Sequence, residues 1–90
     1  MISIDEKRYE VYADGKEIKI APKEFGILQA LMGADGFVLS RDAIANRVWP
    51  LGVQQDTRTI DQHVARLRRK LGPARRHIET VATKGYKFRA

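Results

Sequence analysis

Between Thr57 and Gly72 the chain sets Ile60, Val64, Leu67 and Leu71 at steps of four, three and four residues. At about 100° per residue, those four side chains project within roughly 60° of one another, so the segment reads as a helix with one narrow apolar edge. Gly72-Pro73 stops it, because glycine tolerates the left-handed backbone beyond a helix end and proline cannot continue a helix. On the same wheel Arg58, Gln62, Ala65, Arg66 and Arg69 occupy a sector of roughly 100° on the opposite side. Such a helix cannot be buried all round. It has to lie against a core that other segments supply, with its basic face outward.

Those other segments are short. Tyr9, Val11 and Ala13 alternate with Arg8, Glu10 and Tyr12, and Ile18 and Ile20 alternate with Glu17 and Lys19. Asp14-Gly15 between the two runs suits the positive φ angles of a two-residue hairpin turn, and Ile2 to Ile4 adds an edge strand, giving a sheet over residues 1–20. Pro22 opens a helix over 22–34, with Phe25, Leu28 and Met32 on its apolar stripe, widened by Ile27 and Leu31. Ser40 caps a second helix over 41–48, in which Asp42 faces the positive terminus and Ile44 and Val48 form the buried edge. Trp49-Pro50 ends that helix, residues 49–56 form a loop, and the third helix covers 57–71. A final hairpin over 77–89 alternates at Ile78, Thr80 and Ala82, turns at Lys84-Gly85 and returns through Tyr86 and Phe88. Glu24 and Arg41 are candidates to pair across the first two helices.

The expected class is therefore α+β, in the order hairpin, three helices, hairpin. With 90 residues, no internal repeat and no Gly/Ser linker, residues 1–90 read as a single domain. Hydrophobic residues at 43% suffice for one core. Cysteine is absent, which excludes disulfides, thiolate metal sites and cysteine nucleophiles.

Charge is distributed unevenly. Residues 1–45 carry 6 basic and 8 acidic side chains, whereas residues 46–90 carry 11 basic and 3 acidic ones. Asp61 is the sole acid from Thr57 to Leu71 and sits off the centre of the polar face. A merely solvated helix face mixes signs in i,i+4 pairs; three uncompensated arginines on one face call for an anionic partner. Arginine donates twice to guanine O6 and N7, glutamine pairs with adenine, and Ala65 is small enough for close approach, so the side chains suit a DNA major groove. A membrane-surface helix would need its apolar edge exposed, and here the core requires that edge.

Other chemistries find little support. The longest uncharged stretch, Phe25 to Ala34, is far shorter than a membrane span, and the first residues lack the apolar region of a secretory signal, so a cytoplasmic setting is expected. His63 and His77 are too few and too far apart for a metal site. Ser40 is a helix cap, Asp61 and His63 project about 160° apart on their helix, and no glycine-rich phosphate loop exists, so neither catalysis nor a cofactor is expected.

The stretch Arg58-Thr59-Ile60-Asp61-Gln62-His63-Val64-Ala65-Arg66-Leu67-Arg68-Arg69-Lys70-Leu71 resembles the recognition helix of OmpR/PhoB-type winged-helix domains, the DNA-binding halves of bacterial two-component response regulators. Ala21-Pro22-Lys23-Glu24-Phe25, Val38-Leu39-Ser40-Arg41, Ile78-Glu79-Thr80-Val81 and Gly85-Tyr86-Lys87-Phe88 agree in order and spacing. The resemblance implies a winged helix-turn-helix with its third helix in the major groove and its C-terminal hairpin, the wing, near the minor groove. It implies base reading by Arg58, Gln62, Arg66 and Arg69, and phosphate contacts from Trp49, His63, Arg68, Thr80, Lys84 and Tyr86. It implies a polymerase-facing loop made of Pro50, Leu51, Gly52, Val53, Gln54 and Gln55. It further implies duplex DNA with direct-repeat half-sites as partner, bound head to tail by two copies that are monomers when free.

Structural readings stand beside these. Trp49 reads more readily as a core or interface anchor than as a DNA contact, Tyr86 slightly more readily as a residue closing the wing over the core, and His63 equally as a surface residue. The family's wing carries an arginine where this chain has Ala82, and Lys84 restores the charge without the planar fork. No receiver domain lies within the 90 residues. The rival function is a winged helix that binds protein through the apolar Trp49–Val53 loop.

Overall fold

In the computed structural model, the structure describes residues 1–49 and 57–90. Strands β1 (Ile2–Asp5), β2 (Glu10–Ala13) and β3 (Lys16–Ile18) form an antiparallel sheet with β2 in the middle. Pairing of Ile2 with Ala13 and of Val11 with Ile18 sets the register. Asp14 and Gly15 take φ of 51° and 83°, the pair of left-handed conformations that a type I′ turn requires. The hairpin and its edge strand thus form as the sequence predicts.

Tyr9 departs from the expected alternation. The Asp5 carboxylate accepts hydrogen bonds from the Lys7 and Arg8 backbone N–H groups at 3.1 Å each, which turns the chain before β2 begins. Tyr9 consequently sits at φ 54°, largely exposed, with its ring 5.0 Å from that of Phe25.

Helices α1 (Pro22–Gly33), α2 (Arg41–Val48) and α3 (Arg58–Leu71) follow. Pro22 opens α1, and the Glu24 carboxylate accepts from the Ala21 N–H at 2.8 Å. The Ser40 hydroxyl accepts from the Ala43 N–H at 3.0 Å to cap α2, as expected from its position. One core unites the layers: Val11 from the sheet, Ile27, Leu28 and Leu31 from α1, Ile44 from α2, and Ile60, Val64 and Leu67 from α3 are fully enclosed. Trp49 is partly buried against this core, the anchoring role that its size favours.

A 3-10 turn over Gly72–His77 links α3 to the wing. So short a turn, opened by Pro73 and tied by an Arg76 side-chain bond to the Pro73 carbonyl, leaves no periodic signal in sequence. The wing itself pairs β4 (Ile78–Val81) with β5 (Gly85–Phe88). Its turn corrects the expectation at Lys84-Gly85. Residues 82–84 make the turn, with Thr83 at φ 62° and the Lys84 N–H bonded to the Val81 carbonyl at 2.9 Å, while Gly85 lies in β5 opposite Val81.

Gly85 is needed for a different reason. Leu39 bridges to the wing by exchanging both backbone hydrogen bonds with Tyr86, at 2.8 and 3.0 Å. That contact brings the Leu39 carbonyl against Gly85, whose φ is 144°. A β-carbon there would overlap the carbonyl oxygen and come within 2.9 Å of the Ser40 α-carbon.

Candidate nucleic-acid interface

Helix α3 presents the face that its sequence predicts. Arg58, Gln62, Ala65, Arg66 and Arg69 are exposed, and Ile60, Val64, Leu67 and Leu71 are buried opposite them. Fourteen residues make a rod about 21 Å long, with a diameter that a B-DNA major groove of about 12 Å admits. Arg66 and Arg69 have no ion-pair partner among the described residues, so their guanidinium forks stay open to a ligand. The wing tip exposes Ala82, Thr83 and Lys84. Where the family carries an arginine, Ala82 offers no donor.

The expected phosphate-contacting residues divide into two groups. Lys84 is exposed and His63 half-buried. Burial, and then the neighbouring Arg66, hold the His63 imidazolium below its usual range near 6.5, so the ring is neutral at pH 7 and offers at most an N–H. Trp49 packs its ring 5.8 Å from that of His63, beneath the Lys23 ammonium. Arg68, Thr80 and Tyr86, in contrast, are engaged with one another and with the scaffold. Arg68 Nη2 donates to the Ile78 carbonyl at 2.8 Å and to Thr80 Oγ1 at 2.7 Å. The Tyr86 hydroxyl donates to Asp61 Oδ1 at 2.6 Å, and the residue is only 5% exposed. A phosphate oxygen accepts but cannot donate, so a phenol whose hydrogen is already given to Asp61 has nothing left for it. Tyr86 closes the wing over the core.

Ionic pairing corrects one further expectation. Glu24 and Arg41 do not meet. Because Glu24 reaches back to its own helix start, its carboxylate lies where Lys70 of α3 arrives, at 2.8 Å, whereas Arg41 at the start of α2 donates to Asp61 at 2.7 Å. Burial alone would raise the Glu24 carboxyl, but Lys70 and the Ala21 N–H outweigh it and hold the group below its ordinary 4.5. Asp61 is likewise held below its ordinary 3.8, since the Tyr86 hydroxyl and Arg41 overcome its desolvation. Folded-state values below the unfolded ones mean that both carboxylates stabilise the fold above the unfolded values, and that this contribution is lost as pH falls through the folded ones. The urea midpoint should therefore drop as pH is lowered from 6 to 3, and Glu24→Gln should make that drop shallower. A midpoint that stays level in the parent protein would contradict both assignments.

Helical periodicity alone places the exposed basic face of α3, but not the contact network behind it. The available signal was Asp61, a lone acid on an otherwise basic helix. The expected polymerase-facing residues Pro50 to Gln55 lie outside the described residues, as does most of the Trp49–Val53 loop of the rival reading. Among the described residues no cluster of metal-ligating side chains occurs, and no helix is long and apolar enough to cross a membrane.

Comparison with known proteins agrees with this geometry. Residues 15–88 match the family described as "Transcriptional regulatory protein, C terminal". The transcriptional regulatory protein CseB of Streptomyces avermitilis is 43% identical over 89 residues, which cover 99% of this chain and 37% of that protein. The chain thus spans well under half of that relative. Among solved structures, the DNA-binding domain of Bacillus subtilis CssR superposes with a TM-score of 0.84 at 31% identity, covering 98% of this chain and 99% of that one. The Klebsiella pneumoniae RstA DNA-binding domain, solved in complex with the RstA box, gives a TM-score of 0.83 at 31% identity and covers 98% of this chain and 90% of that one.

Proposed function

Since the chain belongs to the family of C-terminal domains of transcriptional regulatory proteins, the OmpR/PhoB-type winged helices, we propose that it binds double-stranded DNA sequence-specifically to regulate transcription in the cytoplasm, as the effector domain of a response regulator. The observation that carries this reading is the exposed face of α3, where Arg66 and Arg69 point outward with no ion-pair partner among the described residues while the apolar edge is fully used by the core. Nothing in such a face suits catalysis, and its donors suit base edges.

In this reading α3 enters the major groove. Arg66 reads guanine, with Arg58, Gln62 and Arg69 beside it on the same face. Lys84 approaches the backbone from the wing, and His63 adds a neutral donor. Arg68 and Thr80 contribute through the groups that their mutual bond leaves over, the Arg68 Nη1 and the Thr80 hydroxyl hydrogen. With Ala82 in place of an arginine fork, minor-groove reading is broad. Two copies sit head to tail on direct-repeat half-sites, each a monomer off DNA, and the segment 50–55 faces RNA polymerase.

Binding-site selection from random duplexes tests the core of this proposal. The parent domain should enrich one half-site motif, repeated in the same orientation. Arg66→Ala should cost about 1–3 kcal/mol and flatten preference at one base position while leaving its neighbours intact. An unchanged motif in that variant would remove Arg66 from the reading set, and no enrichment by the parent would overturn the function.

A further inference from the structure

We propose that Asp61 and Tyr86 are positioning residues that lock the wing to α3, so that major-groove and backbone contacts are made together; the inference rests on the DNA-binding reading above. Three elements converge on one carboxylate oxygen. Asp61 Oδ1 on α3 accepts from Arg41 Nε of α2 at 2.7 Å and from the Tyr86 hydroxyl of β5 at 2.6 Å. The Tyr86 ring in turn lies beneath two guanidinium groups, with Arg41 at 5.6 Å and Arg68 at 5.5 Å from its centroid. Arg68 then ties the other wing strand to α3 through the Ile78 carbonyl and Thr80. Both strands of the wing are thereby fastened to the helix that carries the reading arginines.

A purely electrostatic account makes Asp61 a defect. A carboxylate on a helix that meets a polyanion weakens binding by charge repulsion, so replacing it with a neutral residue should tighten the complex. Positioning makes the opposite claim: without the Asp61–Tyr86 bond the wing keeps the Leu39 bridge, its core packing and the Arg68 tie on β4, but β5 loses its fastening to α3 and no longer presents Lys84 at a fixed distance from that helix. The removal of one phenolic hydroxyl is the mildest way to open this lock, since Tyr86→Phe keeps the ring and its packing.

The test is a double-mutant cycle on DNA affinity, using the duplex that the parent domain selects from a random pool. Lys84→Glu should weaken parent binding about tenfold, as expected for reversing one backbone-contacting charge. In the Tyr86→Phe background the same reversal should cost less than about threefold, because a loosened wing no longer delivers residue 84 to the backbone. Asp61→Asn should weaken binding rather than tighten it, and it substitutes for Tyr86→Phe in the cycle should circular dichroism show that variant unfolded. An equal penalty for Lys84→Glu in both backgrounds, no penalty in the parent, or tighter binding by Asp61→Asn would overturn the lock while leaving the DNA-binding reading in place. Failure of the parent to select any duplex would instead overturn that reading.

Discussion

Gly85→Ala is expected to lower the stability of the domain by about 2–6 kcal/mol. Two costs combine. At φ 144° an alanine occupies backbone space that essentially only glycine visits, a strain of about 1–3 kcal/mol. The new β-carbon would also overlap the Leu39 carbonyl oxygen, which cannot swing aside because Leu39 and Tyr86 exchange both backbone hydrogen bonds at that point. Forcing an extra carbon into such a contact typically costs about 1–3 kcal/mol more. Small domains have about 5–15 kcal/mol in total, so at about 4–8 °C per kcal/mol the loss should appear as a melting point lower by about 10 °C or more. Gly15→Ala is the control. Gly15 is also left-handed, at φ 83°, but nothing lies within 4 Å of its would-be β-carbon, so it pays conformational strain alone. Equal melting points for the two variants would show that the close approach of Leu39 to the wing carries no weight.

That glycine also marks where a sequence stops being readable. Local signals were sufficient wherever a residue's task is local. Asp14-Gly15 turns because of its own φ preferences, Ser40 caps the helix that follows it, and the stripe of Ile60, Val64, Leu67 and Leu71 buries itself whatever the partner. Gly85, Glu24, Arg41 and Asp61 have tasks set by residues far away in the chain. A glycine after a lysine in a hairpin looks like a turn until Leu39 is seen beside it, and Glu24 looks like a partner for Arg41 until Lys70 occupies its carboxylate. The reading face was legible because helical periodicity alone places its members. The lock behind it was not, because it joins α2, α3 and β5 through one oxygen atom, and no periodicity links residues 41, 61 and 86.

Affinity for the selected duplex should fall by about 500-fold between 50 and 200 mM salt, with log K falling against log salt at a slope of about −4.5. Net charge, at +6, is not the basis for this figure. Many cations are already matched: Lys19 with Glu17, Arg8 with Asp5, Lys70 with Glu24, Arg41 with Asp61, and Arg89 with Glu79. On the DNA-binding reading the cations brought to the duplex, whatever their contacts within the free domain, are Arg58, Arg66, Arg68 and Arg69 of α3 and Lys84 of the wing, and His63 adds no charge because its imidazolium is disfavoured at neutral pH. Each phosphate charge neutralised releases counterions and contributes about −0.9 to the slope, so five such cations give about −4.5. Lys84→Ala should make the slope shallower by about 1, whereas Lys19→Ala, on the N-terminal side of the domain and already beside Glu17, should leave it unchanged. The rival protein-binding use of this fold predicts a slope near −1 or no binding at all. Such a result would mean that the acid-free face of α3 is only solvated.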